Sequence, residues 1–447
     1  MNELKRDLHP LHGYALMIGG MIGAGIFVVT GEAAGQAGPS VPFGYVVLFP
    51  ILLASALAYL IFLSTPLGQS PGGAYIHISR TFNNYFVGFL FMWFQYIALL
   101  GVMAIMAISF GEYLSSLTGW TNIPLLATIL LLSFFVLNIV GVKWFGVVQM
   151  VMSLILFVAI LVLVIPGLFH IEMSNYSPIL PKGMSGFLSI LPSLFFAYFG
   201  FEQIAQAAGE MKNPQKAMPR TMFIGSILTV IIYFLISFVA FGVLPYQQLA
   251  SSSSAMADVA AVYLPAWGKW IVVIGIIMAF ATTLNSLVMV VSRILFSFAD
   301  DHVIPARFAK VNKRFGTPHI AIMVNTAIVL GLIWTQTLGY LLDVSLQGMF
   351  LMYMGHAVAM IALPFVRPAL FATAFIKPPK VLVVFSGLFA LSVLLYFSFT
   401  LLQSVLNLLI LWTVVGVIIY SLGRIQGKKK QFNYALRITQ DWKTEQE

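Results

Sequence analysis

Apolar runs of about 18 to 25 residues recur along the whole chain, and nothing else in the sequence limits its fold as strongly. A helix rises about 1.5 Å per residue, so a run of that length crosses a hydrocarbon core of about 30 Å. Backbone N–H and C=O groups find no water in lipid, and segments of this length satisfy them within a helix. Twelve runs are read, centred near residues 22, 53, 97, 131, 157, 198, 233, 284, 328, 352, 390 and 412. Composition agrees, because 60% hydrophobic and 8% charged residues cannot coat a soluble body of 447 residues with polar surface. The expected class is all-α integral membrane, with 12 transmembrane helices.

A net charge of +9 raises the question of a nucleic acid or acidic partner, but the basic residues follow topology instead. With a cytoplasmic N-terminus and alternating spans, only Lys182 and Lys269 of the 23 basic residues fall outside. The others, among them Lys212, Lys216, Arg220, Arg307, Lys310, Lys313, Arg314 and the Lys428 to Lys430 cluster, lie inside, as the positive-inside rule requires. A multi-pass protein of the cell membrane with both termini cytoplasmic is expected, with no nucleic acid partner. The tail "GRIQGKKKQFNYALR" reads mainly as a topological anchor, and contact with anionic membrane lipid is the lesser alternative. The leading "MNELKRDLHP" lacks the pattern of a cleaved signal peptide, so the first span is expected to stay.

Several chemistries drop out. There is no cysteine, hence no disulfide framework, thiolate metal site or cysteine nucleophile. No nucleotide-binding loop is present, and no His, Asp or Glu cluster has metal or nucleophile spacing. An enzyme is not expected, nor any cofactor. The longest polar connections are about 20 to 25 residues, so whatever the chain does happens within the bilayer. One connection, 244–269, is expected to hold a short helix over the outer mouth. Another, "FADDHVIPARFAKVNKRFGTP" (298–318), interleaves Phe and Val with basic residues and reads as an interfacial segment.

Two spans are unlike the rest. The first, "LMIGGMIGAGIFVVTG", carries Gly19, Gly20, Gly23 and Gly25, and the sixth, "LFFAYFGFEQIAQAAGE", carries Gly200 followed at once by Glu202. Weak points in corresponding spans of two five-helix units mark a transporter of inverted repeats with its site at the midplane. An unwound stretch frees backbone groups that a polar ligand can satisfy. The amides of Ala24, Gly25 and Ile26 suit a carboxylate, and carbonyls ending the half-helices suit an ammonium, so the pair would recognise an amino acid. Close packing is the competing reading, especially for Gly13, Gly19 and Gly20.

The ionisable groups at membrane depth are few. Glu202 is the deepest, and reads equally as a proton site or as a latch on the broken helix. Glu32 and Asp343 read as boundary groups and His356 as a packing histidine. Thr282 and Thr283, with Asn285 and Ser286, offer oxygens for Na⁺, although hydroxyls in membrane helices more often bond their own backbone.

These residues also carry a resemblance. Gly23-Ala24-Gly25-Ile26-Phe27 resembles the first-span signature of the amino acid-polyamine-organocation (APC) transporter superfamily. "PGGAY" (71–75), "FFAYFGFE" (195–202), "GEMKNPQKAMPR" (209–220) and "SRILFSFADDHVIPARFAKVNKRFGTP" (292–318) are similar to later signatures of it, covering about residues 8 to 420. The resemblance implies a LeuT-type 5+5 inverted repeat plus two C-terminal helices. Residues 11–168 would form the first repeat, 187–365 the second and 380–422 the added pair, flanked by cytoplasmic segments 1–10 and 423–447. It implies secondary transport of amino acids by alternating access, with carbonyls of Met21, Phe196, Ala197 and Phe199 on the amine and Phe196 or Tyr198 closing over it. Gly23 and Gly200 complete the expected substrate site. Many relatives place a lysine in span five where a sodium ion would sit. Here Leu156 stands near that position, which leaves exchange, protons through Glu202 or sodium at Thr282 and Thr283 open. The apolar pocket favours neutral L-amino acids over cationic ones or polyamines, and a non-transporting amino acid sensor is the alternative of another class.

Overall fold

The computed structural model describes residues 8–23, 25–252, 254–435 and 437. Among them the chain runs through α1 (Pro10–Met21), α2 (Thr30–Ala37), α3 (Val41–Val47), α4 (Phe49–Leu63), α5 (Ala74–Phe82), α6 (Tyr85–Thr118), α7 (Ile123–Val140), α8 (Val142–Gly167) and α9 (Gly183–Phe195). It continues through α10 (Gln203–Gln206), α11 (Pro214–Val243), α12 (Tyr246–Ser251), α13 (Ala255–Tyr263), α14 (Ala266–Asp300), α15 (His319–Thr335), α16 (Leu338–Val366), α17 (Pro368–Thr373) and α18 (Lys380–Lys429). Nine segments among the described residues are helices long and apolar enough to cross a membrane, and α15 is a shorter apolar helix.

The most buried helices, α6 and α14, form the centre. Small residues set their distances. A Cβ at Gly348 of α16 would meet the Phe94 carbonyl oxygen of α6 at 2.4 Å, and one at Gly275 of α14 would meet the Ala159 Cβ of α8 at 2.1 Å. Helices in lipid gain little from burying apolar surface against one another, so close van der Waals approach of this kind holds the bundle.

Both described ends of the chain meet at one end of the bundle. The Leu8 N–H donates to the Glu210 carbonyl (2.9 Å), and Arg437 pairs with Asp300 (2.5 Å). Two buried ion pairs stand there, Arg80 with Asp301 (2.7 Å) and Arg293 with Glu210 (2.6 Å). The segment read as interfacial keeps Arg307, Lys310, Lys313 and Arg314 exposed and buries part of its apolar side. Val303 and Ile304 are buried, and the backbone of Ile304 packs on Gly423. The connection expected to hold one short helix holds two, α12 and α13.

The twelve runs do not appear as twelve separate helices. The two centred near 390 and 412 are one uninterrupted element, α18, because no glycine or proline lies between Gly387 and Gly416 to end it. Its first half lies on α16, with Gln347 donating to Ser398 (2.6 Å). Its second half lies on α6, where Trp93 and Trp412 stack at 4.4 Å and each indole N–H donates to the other's carbonyl.

Candidate functional site at two helix breaks

Helical bonding in the first span stops at Met21 and resumes as a π turn over Gly25–Val29 before α2. Ala24 lies outside the described residues. In the second interrupted span α9 ends at Phe195, a 3₁₀ turn covers Phe196–Tyr198, and the chain turns through Gly200 at φ +116° before α10. That φ is open to glycine and strained for other residues.

The two interruptions touch backbone to backbone. A Cβ on Gly25 would lie 2.3 Å from the Ala197 Cα, and one on Gly200 would lie 3.0 Å from the Gly20 carbonyl oxygen. Tyr233 of α11 joins them, its hydroxyl lying 2.6 Å from the Met21 carbonyl and 2.7 Å from the Ala197 carbonyl. A phenol has one proton, so two acceptors converge on a point that holds a single donor.

A small cavity of about 20 Å³, lined by buried residues, lies between the breaks. That is room for about one water molecule. Gly20, Met21, Gly23 and Gly25 line it from the first break, and Phe196, Phe199 and Gln203 from the second. Leu99, Val102 and Met106 of α6 and Thr283 and Leu287 of α14 complete it. Of the residues singled out in the sequence, Met21, Gly23, Gly25, Phe196, Phe199 and Thr283 meet here. Ile26, Ala197, Tyr198, Gly200, Glu202 and Thr282 lie behind this lining.

Tyr198 lies off the cavity in this conformation. A 3₁₀ turn has three residues per turn, so Phe196 and Phe199 share a face and Tyr198 points elsewhere. Its hydroxyl donates to the Tyr45 carbonyl (2.7 Å). The threonine pair also separates, because neighbours on a helix point about 100° apart. Thr283 donates to the Gly19 carbonyl of the first span (3.1 Å), while Thr282 bonds the Ala279 carbonyl of its own helix (3.0 Å).

Glu202 closes on the break beside it. Its carboxylate accepts from the Gly200 N–H (3.1 Å), the Tyr353 hydroxyl (2.8 Å) and the Gln95 amide (3.3 Å). This is the latch geometry, with every donor neutral. His356 is only half satisfied as a packing histidine: its Nε2 meets Nδ1 of His77 (3.0 Å), and its own Nδ1 has no partner. In place of a span-five lysine, α8 offers neutral donors, with Gln149 (3.3 Å) and Ser153 (3.2 Å) both reaching the Ala15 carbonyl. Sequence reading missed Tyr233, Gln203 and Met106. Only Gln203, one residue beyond Glu202, carried a signal.

The family model described as amino acid permease matches residues 8–422. The chain belongs to the amino acid permease family. Over 445 residues the permease is 26% identical to the branched-chain amino acid permease of Bacillus subtilis (strain 168), across 94% of this chain and 93% of the relative. It is 27% identical to the methylthioribose transporter of the same organism, across 94% of each chain. It is also 27% identical to that organism's serine/threonine exchanger, across 82% of this chain and 84% of the relative. The permease is thus a multi-pass membrane transport protein and not an enzyme.

Proposed function

We propose that this permease is a secondary transporter that moves neutral L-amino acids across the cell membrane by alternating access. The observation that carries the reading is the contact of two broken spans around a cavity whose lining holds no charged side chain. In this reading the substrate carboxylate is held by amides of Ala24, Gly25 and Ile26. Its ammonium takes the carbonyls of Met21, Phe196, Ala197 and Phe199, and Phe196 closes the site. The convergence of the Met21 and Ala197 carbonyls on one hydroxyl supports the second half of this assignment. Relatives named for branched-chain amino acids and for serine and threonine support a neutral substrate.

The reading includes twelve crossings, two inverted five-helix repeats (11–168 and 187–365) and an added pair (380–422). A straight α18 of 50 residues would be about 75 Å long. Residues just before it bond Ser64, while Gly423 near its end packs on Ile304, at the end of the bundle where Arg80 meets Asp301. Two crossings within this stretch would return its second end to the side of the first and so account for both. Both termini then lie in the cytoplasm, and exchange or proton coupling through Glu202 drives transport in preference to sodium.

Uptake of radiolabelled amino acids into proteoliposomes, with and without sodium and pH gradients, tests the reading. Saturable uptake of a neutral amino acid is expected. Gly25→Ala forces Cβ into the Ala197 backbone, an overpacking cost of about 1–3 kcal/mol, and should reduce uptake about tenfold or more while the protein still inserts. Absence of saturable amino acid uptake by the wild type overturns the proposal.

A further inference from the structure

A second cavity, of about 440 Å³, opens at the end of the bundle away from the chain termini. It lies one to two turns beyond the small cavity on the same elements. The first span contributes Phe27 and Glu32, α6 contributes Ser109, Glu112 and Tyr113, and α14 contributes Phe280. Glu32 and Glu112 line it with no basic residue in the described lining, and among the described residues neither carboxylate enters a hydrogen bond or ion pair. Like charges sharing one cavity repel, and a cation between them removes that repulsion.

Independently of the carboxylates, two buried hydroxyls lack partners on the same wall. Ser109 is 2% exposed and Tyr113 7% exposed, and among the described residues neither hydroxyl has a hydrogen-bond partner. Buried polar groups are rarely left so, and each such orphan calls for an explanation. The remaining walls include the rings of Phe27, Tyr113 and Phe280, whose faces attract cations. Carboxylates and ring faces accept without donating, and the hydroxyls can accept as well, so the lining matches a positively charged ligand rich in N–H donors. A bare metal ion fits poorly, since it needs a tight cage of ligands. No group of three His, Asp or Glu among the described residues supplies one.

We propose that this pocket binds a small organic cation, a primary ammonium or guanidinium, with its head between Glu32 and Glu112. The site is separate from the helix breaks and needs no α-carboxylate on its ligand. It admits the charge that the uncharged inner cavity does not match.

The test is titration calorimetry of the full chain in lipid nanodiscs with n-butylammonium, which has no carboxylate for the breaks to hold, and with 1-butanol as its neutral counterpart. Saturable binding of the ammonium and none of the alcohol is expected, weakening as sodium chloride is raised. Glu32→Gln and Glu112→Gln should each weaken binding about tenfold or more, and the double variant should abolish it. Should those variants fold poorly, Ser109→Ala and Tyr113→Phe remove an acceptor without changing charge, and weaker binding at an unchanged melting temperature is expected. Gly25→Ala should bind n-butylammonium as the wild type does, even where it has lost amino acid uptake. No saturable binding to the wild type, equal binding in the glutamine variants, or loss of binding in Gly25→Ala each overturns the proposal.

Discussion

At the scale of single residues, Tyr233 joins the two breaks by hydrogen bonds from outside them. Its hydroxyl is the donor to which the Met21 and Ala197 carbonyls both turn. Tyr233→Phe leaves both carbonyls without it, a cost of about 1–3 kcal/mol for a buried polar group. A melting curve of the variant should fall below that of the wild type. If a substrate ammonium takes the same two carbonyls, a transported amino acid should then restore more stability to Tyr233→Phe than it adds to the wild type, since ligand stabilisation follows occupancy and affinity. Equal ligand-induced shifts would place the ammonium elsewhere. Gly25 was legible in the sequence because glycines crowd one apolar span, and Gly200 because a carboxyl follows it in the corresponding span. Tyr233 was not, because one tyrosine in an apolar helix gives no hint of which face it turns inward.

Among elements, the sequence was most legible where a helix stops and least legible where two helices meet. Both interruptions lie where the glycines put them, yet the lining from α6 and α14 depends on helical register, which apolar residues on every side leave undetermined. In the run from Gly387 to Gly416 two separate helices were expected and one element is seen, since no residue marks a boundary. The buried ion pairs were missed for a similar reason, because Arg80 and Asp301 stand 221 residues apart. Burial pushes the Asp301 carboxyl up, but the Arg80 guanidinium, then Arg437 and the Tyr75 hydroxyl, hold it below the ordinary value. A carboxyl depressed in the folded state adds stability that is complete above its unfolded value, about 3.9, and is lost as pH falls through the folded one. Breaking a buried pair costs about 3–5 kcal/mol. Asp301→Asn should therefore melt well below the wild type at pH 7, and the gap should narrow as pH falls below about 4. A gap that stays constant with pH would mean that the pair contributes no charge-dependent stability.

At the scale of the whole molecule, the small buried cavity and the larger exposed pocket belong to one conformation, and the proposed transport cycle needs others. About 20 Å³ between the breaks cannot admit an amino acid, so binding there requires Phe196, Phe199 and the two breaks to separate. The breaks also abut α14 through Thr283 and Gly19 and α11 through Tyr233, so separation at the site moves whole helices. The absence of native cysteine makes this measurable, because any introduced thiol is the only one in the chain. Met106→Cys places it at a buried position in the small cavity, and Ser116→Cys, three turns along α6, at an exposed position in the larger pocket. A membrane-impermeant thiol reagent should label Ser116→Cys at once. Met106→Cys should react at least about tenfold more slowly if the opened state is a minor one of 10% or less. A transported amino acid that binds opened and closed states unequally must shift that population, so it should change the rate at Met106→Cys far more than at Ser116→Cys. Equal rates at both positions, or a rate at Met106→Cys that saturating substrate leaves unchanged, would separate the cavity at the breaks from the transport cycle.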